Sequence, residues 1–220
     1  MIGHRGAKGY VQENTFLGFN FALDLNVDGI ELDIRISRDN KLVIYHDQTI
    51  MTKNKTTKLI ESLYYDELVQ YGIMGFDNFL SFYKNKCKIF IDIKNSNKSL
   101  IYIEKIIEAI DRAILIGWNK DNIYLQSFNV PYLHKLNDHY KNKLKIGLLY
   151  DGYPSESFLK NEKKNCHYLC LNYEYYNLDL HTKLLSLNYE LYLYTVNDKK
   201  LIDEFKKCGV NGIISDYPDI

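Results

Sequence analysis

The chain alternates short apolar segments with amphipathic ones, most regularly in its second half, and this pattern constrains the fold more than any other feature. Strands that alternate with helices are typical of βαβ units, which build parallel sheets. The pattern predicts eight parallel strands, at residues 2–4, 29–34, 88–94, 122–128, 145–150, 168–172, 190–197 and 212–216. No glycine-rich dinucleotide fingerprint is present. We therefore predict an α/β chain that forms one domain over residues 1–220, a closed (β/α)8 TIM barrel rather than a doubly wound sheet.

The segment 48–86 departs from this alternation. It begins with a polar run, Thr52 to Lys58, and continues with short apolar clusters, but it shows no clear strand pattern. We expect a mobile loop or lid at its start and one or two short helices after it. This segment is therefore interpreted as a small insertion into the barrel.

The composition excludes several classes of function. Lys and Arg together number 28, as do Asp and Glu, so the formal charge is zero, which argues against binding to nucleic acid or membrane surfaces. No apolar run is long enough to span a membrane, and no signal peptide is recognised. Free thiols are expected at the four cysteines, which lack zinc-type spacing: Cys87, Cys166, Cys170 and Cys208. These features predict a soluble cytoplasmic protein.

The strand Gly29–Ile34 carries two acidic residues between apolar ones. Side chains alternate across a strand, so Glu31 and Asp33 point to the same face. Two carboxylates on one buried face are costly unless positive charge lies beside them. A divalent cation is the natural candidate, because hard cations take oxygen ligands.

A hairpin is predicted directly after this strand. If Asp39-Asn40 forms a two-residue turn, as that dipeptide permits, the returning strand places His46 directly opposite Asp33. The hairpin would then bring an imidazole to the carboxylates.

Charged residues also gather at the ends of the neighbouring predicted strands. His4 and Arg5 follow the first strand, while Asp92 and Lys94 share one face of the third. Each could be an ordinary surface residue or ion pair. Because active sites of such barrels lie at the C-terminal ends of the strands, their joint occurrence there instead predicts a site.

The residue types in this predicted site define its chemistry. Three carboxylates suit Mg²⁺ or Ca²⁺, whereas zinc would draw histidines into its ligand set. A cation together with an arginine and a lysine forms a positive pocket suited to a phosphodiester. Two histidines are then the natural general acid and general base. Residues alone leave open which histidine has which role.

The ordered series of motifs resembles the glycerophosphodiester phosphodiesterases, and the resemblance runs from His4 nearly to the last residue. The matching segments are His4-Arg5-Gly6, Glu13-Asn14-Thr15, Gly29 to Asp33, His46-Asp47, Asp92-Ile93-Lys94, Ser127-Phe128, Tyr194 to Asn197 and Gly209 to Asp219. The resemblance implies a TIM barrel that hydrolyses glycerophosphodiesters to sn-glycerol 3-phosphate and an alcohol with a divalent cation. Segment 48–86 would correspond to the small insertion that covers the mouth in this family.

Site roles follow from the resemblance, position by position. It implies metal ligands at Glu31, Asp33 and Asp92, an acid–base pair at His4 and His46, and substrate-binding or site-ordering roles at Arg5, Lys94, Glu13 and Tyr194.

The sequence departs from the family pattern in four places. Gln12 replaces a usual Pro, Ser37 to Asn40 replaces a Thr-Lys-Asp-Gly turn, Asp92 replaces the commoner Glu, and Tyr194 replaces a frequent Trp.

Three other functions are compatible with some of these residues. A lysophospholipase D or phospholipase D-type activity could use the same barrel. A non-catalytic phosphoester-binding protein would be expected to have lost a charged site residue, and none is missing. A Schiff-base enzyme using Lys94 leaves the three carboxylates unexplained. The choice between Mg²⁺ and Ca²⁺, the alcohol and the presence of a homodimer are left open.

Overall fold

The computed structural model describes residues 1–220 and contains a closed barrel of eight parallel strands. In chain order the strands are β1 (Ile2–Gly3), β2 (Gly29–Ile36), β3 (Leu42–Ile44), β4 (Thr49–Met51), β5 (Thr57–Leu59), β6 (Met74–Gly75), β7 (Lys88–Ile93), β8 (Ile123–Ser127), β9 (Lys145–Tyr150), β10 (Tyr168–Asn172), β11 (Glu190–Tyr194) and β12 (Gly212–Ser215). The barrel closes because β1 pairs with both β2 and β12, while β2 and β7 to β12 pair in order. The predicted (β/α)8 barrel is confirmed.

Eight α-helices accompany these strands. They are α1 (Phe16–Asp24), α2 (Tyr65–Val69), α3 (Phe76–Phe82), α4 (Ser99–Leu115), α5 (Val130–Tyr140), α6 (Glu156–Glu162), α7 (Leu178–Ser186) and α8 (Lys199–Lys207). Side chains at their N-caps fix several starts, including Thr15 before α1 and Asp198 before α8. In α4, Tyr102, Ile106 and Ala113 belong to a buried stripe at helical spacing, and such stripes form the layer between barrel and helices. No helix combines the length and the hydropathy needed to cross a membrane.

The barrel interior is filled largely by aromatic rings. Phe90, Tyr124, Tyr168 and Tyr192 come from β7, β8, β10 and β11, and the Phe90 and Tyr124 rings stack with centroids 4.3 Å apart. Aliphatic branched residues usually dominate such layers. Rings this large fit because small residues face them: a Cβ added to Gly147 would lie 2.0 Å from the Tyr168 ring. The aromatic layer closes the barrel beneath its C-terminal end.

The insertion at residues 48–86 contains strands, so the prediction of no strand there was wrong. β4 pairs with β5, and β6 pairs with β3; each is only two or three residues long, too short for an alternating pattern to be recognised. The expected short helices are present as α2 and α3. The segment packs against Val43 of β3 to form a small core, whose other buried members are Ile50, Ile60, Leu63, Leu68 and Ile73.

The hairpin after β2 has a different register from the one predicted. Arg35 pairs with Val43, and the Tyr45 N–H donates to the Asp33 carbonyl at 3.0 Å, so Tyr45 rather than His46 opposes Asp33. The reason is a longer loop: Ser37 and Lys41 are bonded across it, and Asn40 takes a left-handed conformation with φ of 62°. A turn followed by one left-handed residue makes a three-residue loop and shifts every partner by one.

The ring packing inside the barrel predicts a stability effect. Replacing Gly147 with Ala forces a methyl group into the Tyr168 ring, so we expect a loss of about 1–3 kcal/mol or more of unfolding free energy. Urea unfolding monitored by circular dichroism measures this loss. Leu115→Ala, at a position 84 % exposed, is the control and should change little. An unchanged midpoint for Gly147→Ala would contradict this account of the interior.

Candidate active site

A cavity of about 190 Å³ opens at the C-terminal ends of the barrel strands. Every residue predicted for the site lines it except Glu13. Residues separated by many positions meet there because parallel strands present their C-terminal ends at one edge of the barrel. The sequence-based grouping of these residues therefore corresponds to one place in the structure.

Three carboxylates converge on the floor of this cavity. Glu31 and Asp33 lie on β2, and Asp33 is the direct register partner of Asp92 on β7. One oxygen from each carboxylate lies within 4.8 Å of the others, and all three residues are at most 4 % exposed. The strand pairing, together with the alternation along β2, therefore fixes the triangle of carboxylates.

Two cationic side chains contact this triangle. Arg5 donates its backbone N–H to Glu31 at 3.0 Å, and its Nε lies 3.2 Å from Asp33. The Nζ of Lys94 lies 2.8 Å from Asp33 and 2.5 Å from Asp92. Three carboxylates thus face two cations, and one negative charge is left over.

The carboxyl groups respond differently to this environment. Burial raises the pKa of Glu31 well above its usual value, and the charges of Asp33 and Asp92 add to the rise. Burial also raises the pKa of Asp92, to about 6, although Lys94 opposes it. For Asp33 burial acts in the same direction, but Lys94 and Arg5 outweigh it and lower the pKa to about 2. The site is short of positive charge.

The triangle has the properties of a divalent-cation site. The Oδ1 atom of Asp92 is buried without a hydrogen-bond partner, a costly arrangement that a bound cation would relieve. All three candidate ligands offer oxygen, which suits hard cations such as Mg²⁺ or Ca²⁺. Glu31, Asp33 and Asp92 could therefore hold one such cation.

His4 is held in place by an acidic partner. Its Nδ1 lies 2.6 Å from Oδ1 of Asp216, and its Nε2 lies 4.0 Å from Glu31. Hydrogen bonds from His4 and from Asn197, at 2.7 Å, lower the pKa of Asp216 although burial opposes this. An ionised Asp216 keeps the proton on Nδ1, which leaves Nε2 directed toward the carboxylates.

His46 reaches the cavity from the loop after β3, not from the strand. The Arg35 guanidinium clamps the His46 main-chain carbonyl with hydrogen bonds of 2.8 and 2.6 Å. The imidazole Nδ1 lies 2.7 Å from Asp47. Burial lowers the pKa of His46; Asp33 raises it and Lys94 lowers it further. Arg35 therefore holds His46 near the carboxylates, which is the position that the predicted hairpin register was expected to give it.

The remaining two predicted residues have distinct positions. Glu13 binds the Arg5 guanidinium with contacts of 2.9 and 3.1 Å and lies outside the cavity wall. Tyr194 lines the cavity with its ring, while its hydroxyl donates to the Tyr150 carbonyl at 3.1 Å. Glu13 thus orients Arg5, and Tyr194 shapes the wall.

Sequence reasoning left three contributing residues without a role. Asn14 donates to Asp33 at 2.9 Å, Asp216 orients His4, and Arg35 holds the loop of His46. Asn14 and Asp216 lie within two of the matching segments, Glu13-Asn14-Thr15 and Gly209 to Asp219, and Arg35 lies two residues after Asp33. Position at a strand end was a usable signal for Asp216, but its partner was visible only in three dimensions.

Comparisons with known proteins identify the family of this chain. The model of the glycerophosphoryl diester phosphodiesterase family matches residues 4–220. A glycerophosphodiester phosphodiesterase of Caldanaerobacter subterraneus is 28 % identical, over 100 % of this chain and 94 % of its own length. The human protein named lysophospholipase D GDPD1 is 24 % identical, over 99 % and 83 %.

A solved structure shares the fold. An Oleispira antarctica phosphodiesterase, in complex with the product sn-glycerol-3-phosphate, superposes with a TM-score of 0.85 at 21 % identity. The match covers 99 % of this chain and 93 % of that one. With the family model matching nearly the whole sequence, this chain belongs to the glycerophosphoryl diester phosphodiesterase family.

Proposed function

We propose that the protein hydrolyses glycerophosphodiesters to sn-glycerol 3-phosphate and an alcohol with the help of a divalent cation. One observation carries this proposal: three buried carboxylates, the cationic side chains of Arg5 and Lys94, and two histidines line a single cavity at the barrel mouth. The Caldanaerobacter relative and the product-bound Oleispira structure support the choice of substrate.

The cation would be held by Glu31, Asp33 and Asp92. When bound, it supplies positive charge that stabilises the negative charge developing on the phosphoryl oxygens. The orphaned Oδ1 of Asp92 and the raised pKa values of Glu31 and Asp92 support this assignment, because both describe a site that lacks a positive partner. Mg²⁺ and Ca²⁺ both fit an all-oxygen ligand set.

Arg5 and Lys94 are proposed to bind the phosphate. The pKa of Lys94 is raised because Asp92 and Asp33 outweigh its burial, so the ammonium keeps its charge. Arg5 is charged throughout, since three carboxylates outweigh burial and raise its pKa too. Both side chains are held by ion pairs, so they are already oriented before substrate arrives.

His46 and His4 are proposed to move the protons. The lowered pKa of His46 favours a neutral imidazole at pH 7, so His46 can take the proton from the attacking oxygen, which comes from water or the neighbouring glycerol hydroxyl. His4 acts from its imidazolium form: Asp216 accepts from Nδ1–H, and the proton on Nε2 passes to the leaving alcohol oxygen. The bond from phosphorus to that oxygen breaks as the bond to the attacking oxygen forms. If the glycerol hydroxyl attacks, the product is a cyclic phosphodiester, which water then opens to sn-glycerol 3-phosphate.

A lysophospholipase D-type activity is the second candidate. The name of the human relative and the exposed Phe128 ring at the mouth, 49 % exposed, favour it. Such an enzyme accepts an acyl chain beyond the glycerol, which needs apolar surface outside the cavity. A second groove, which adjoins the cavity at Phe128, offers little apolar surface for such a chain, because its other lining residues are mainly polar.

Release of sn-glycerol 3-phosphate tests the proposal directly. The purified protein would be given glycerophosphocholine or glycerophosphoethanolamine with Mg²⁺, Ca²⁺ or a chelator, and product would be measured by a coupled assay. We expect release with at least one cation and loss with chelator. Cleavage of lysophospholipid alone would establish the second candidate instead.

Removal of either histidine should abolish most turnover. We expect His4→Ala and His46→Ala each to lower kcat on the order of 10²-fold or more, because each removes one proton-transfer group. Steady-state assays on the preferred diester measure this. His139→Ala is the matched control, since that histidine is exposed and pairs with Asp111 on the outer helices. Near-full activity of His46→Ala would contradict its assignment.

Neutralising one carboxylate should stabilise the metal-free protein. In a chelator we expect Glu31→Gln to raise Tm by about 2–4 °C for each kcal/mol of relieved repulsion. Added Mg²⁺ or Ca²⁺ should raise the Tm of the unaltered protein and have little effect on this variant. Thermal unfolding by calorimetry measures both shifts, with the exposed Glu204→Gln as control. An equal response of both proteins to the cations would rule out Glu31 as a ligand.

A further inference from the structure

A second groove lies beside the catalytic cavity. It has a volume of about 390 Å³, twice that of the central cavity, and the two share Asp92, Lys94 and Phe128 as wall residues. A cavity of about 190 Å³ has room for the glycerol phosphate half of a diester. The neighbouring groove is therefore positioned to receive the other half, the alcohol.

Arg35 gives this groove a positive charge that is not held in an ion pair. All of its hydrogen bonds go to main-chain carbonyls, those of His46 and Asn95. Carbonyl groups orient a guanidinium but leave its charge unneutralised. The only carboxylate on the groove wall is Asp92, whose Oδ2 is in an ion pair with Lys94; the charges of Asp33, Asp92 and Asp47 favour the guanidinium, but none of them forms an ion pair with it.

The rest of the groove wall is polar and uncharged. Gln48, Asn95 and Ser127 contribute amide and hydroxyl groups, and Phe128 supplies the only aromatic ring. Sites for quaternary ammonium groups are usually cages of several rings that exclude nearby cations. A choline headgroup would meet one ring and two cationic side chains here, which is an unfavourable environment.

We propose that this groove receives the alcohol half of the diester and selects alcohols that carry an acidic group. The carboxylate or phosphate of such an alcohol would pair with Arg35, while Gln48 and Asn95 offer amide groups to it. This selectivity rests on the proposed function, since it deepens the substrate choice of the same site.

Two diesters that differ by a single carboxylate test the proposal. Glycerophosphoserine is glycerophosphoethanolamine with one carboxylate added, so the ratio of their kcat/KM values reports on that group alone. We expect the ratio to favour glycerophosphoserine by about tenfold, the size of one charge-assisted contact. A diester whose alcohol carries a second phosphate tells whether phosphate serves as well as carboxylate.

A charge change in the groove should shift this ratio. Gln48 is exposed on the groove wall, so Gln48→Glu introduces a carboxylate there without disturbing the core. We expect this variant to lower the preference for glycerophosphoserine several-fold. Gln70→Glu is the matched control, because it makes the same change at an exposed position in the same insertion.

The outcomes distinguish a failure of the groove selectivity from a failure of the proposed function. Hydrolysis of both diesters at equal kcat/KM, or an unchanged ratio in Gln48→Glu, would overturn the groove selectivity and leave the proposed function intact. Hydrolysis of neither diester with any cation would overturn the proposed function and the selectivity with it.

Discussion

The site depends on keeping three carboxylates in a buried space with too few cations to balance them. Glu31, Asp33 and Asp92 are nearly inaccessible, and Arg5 and Lys94 offset only part of their charge. Burying uncompensated charge is costly, and folding tolerates it here because the barrel strands fix these side chains at one edge. The same imbalance that destabilises the metal-free protein would favour the binding of a divalent cation.

Local backbone geometry explains why the first motif has its form. The loop after β1 turns sharply, with φ of 50° at Arg5 and 91° at Gly6. A Cβ on Gly6 would lie 2.6 Å from the Gly18 carbonyl carbon of α1, so only glycine fits. This close contact lets Arg5 direct its backbone N–H to Glu31 and its guanidinium to Asp33 and Glu13. His4-Arg5-Gly6 thus combines a candidate catalytic histidine, a cationic side chain and the glycine turn that orients both toward the cavity.

Much of the fold and the site could be predicted because both follow from strand periodicity. Alternation along β2 placed Glu31 and Asp33 on one face, and the barrel rule brought Asp92 beside them. The position of His46 was predicted near the site for the wrong reason. One left-handed residue, Asn40, lengthens the loop and changes the register, and such a choice between turn types is set by local bonding that residue patterns do not reveal.

Other features depended on contacts between distant segments. The pairing of Asp216 with His4 joins the last strand to the first, and the clamp by Arg35 joins β2 to a loop. The strands of the insertion are too short to leave a periodic signal. The tyrosines inside the barrel were not predicted either, because their fit depends on glycines from neighbouring strands, such as Gly147 beside Tyr168.

A crystal structure of the protein with Mn²⁺ or Ca²⁺ and sn-glycerol 3-phosphate would test the central claim most directly. Anomalous scattering would locate the cation independently of the product. We expect the cation between Glu31, Asp33 and Asp92, with the phosphate within reach of Arg5, Lys94 and both histidines. A cation bound elsewhere, or product bound outside the cavity while the triangle holds only water, would contradict the account.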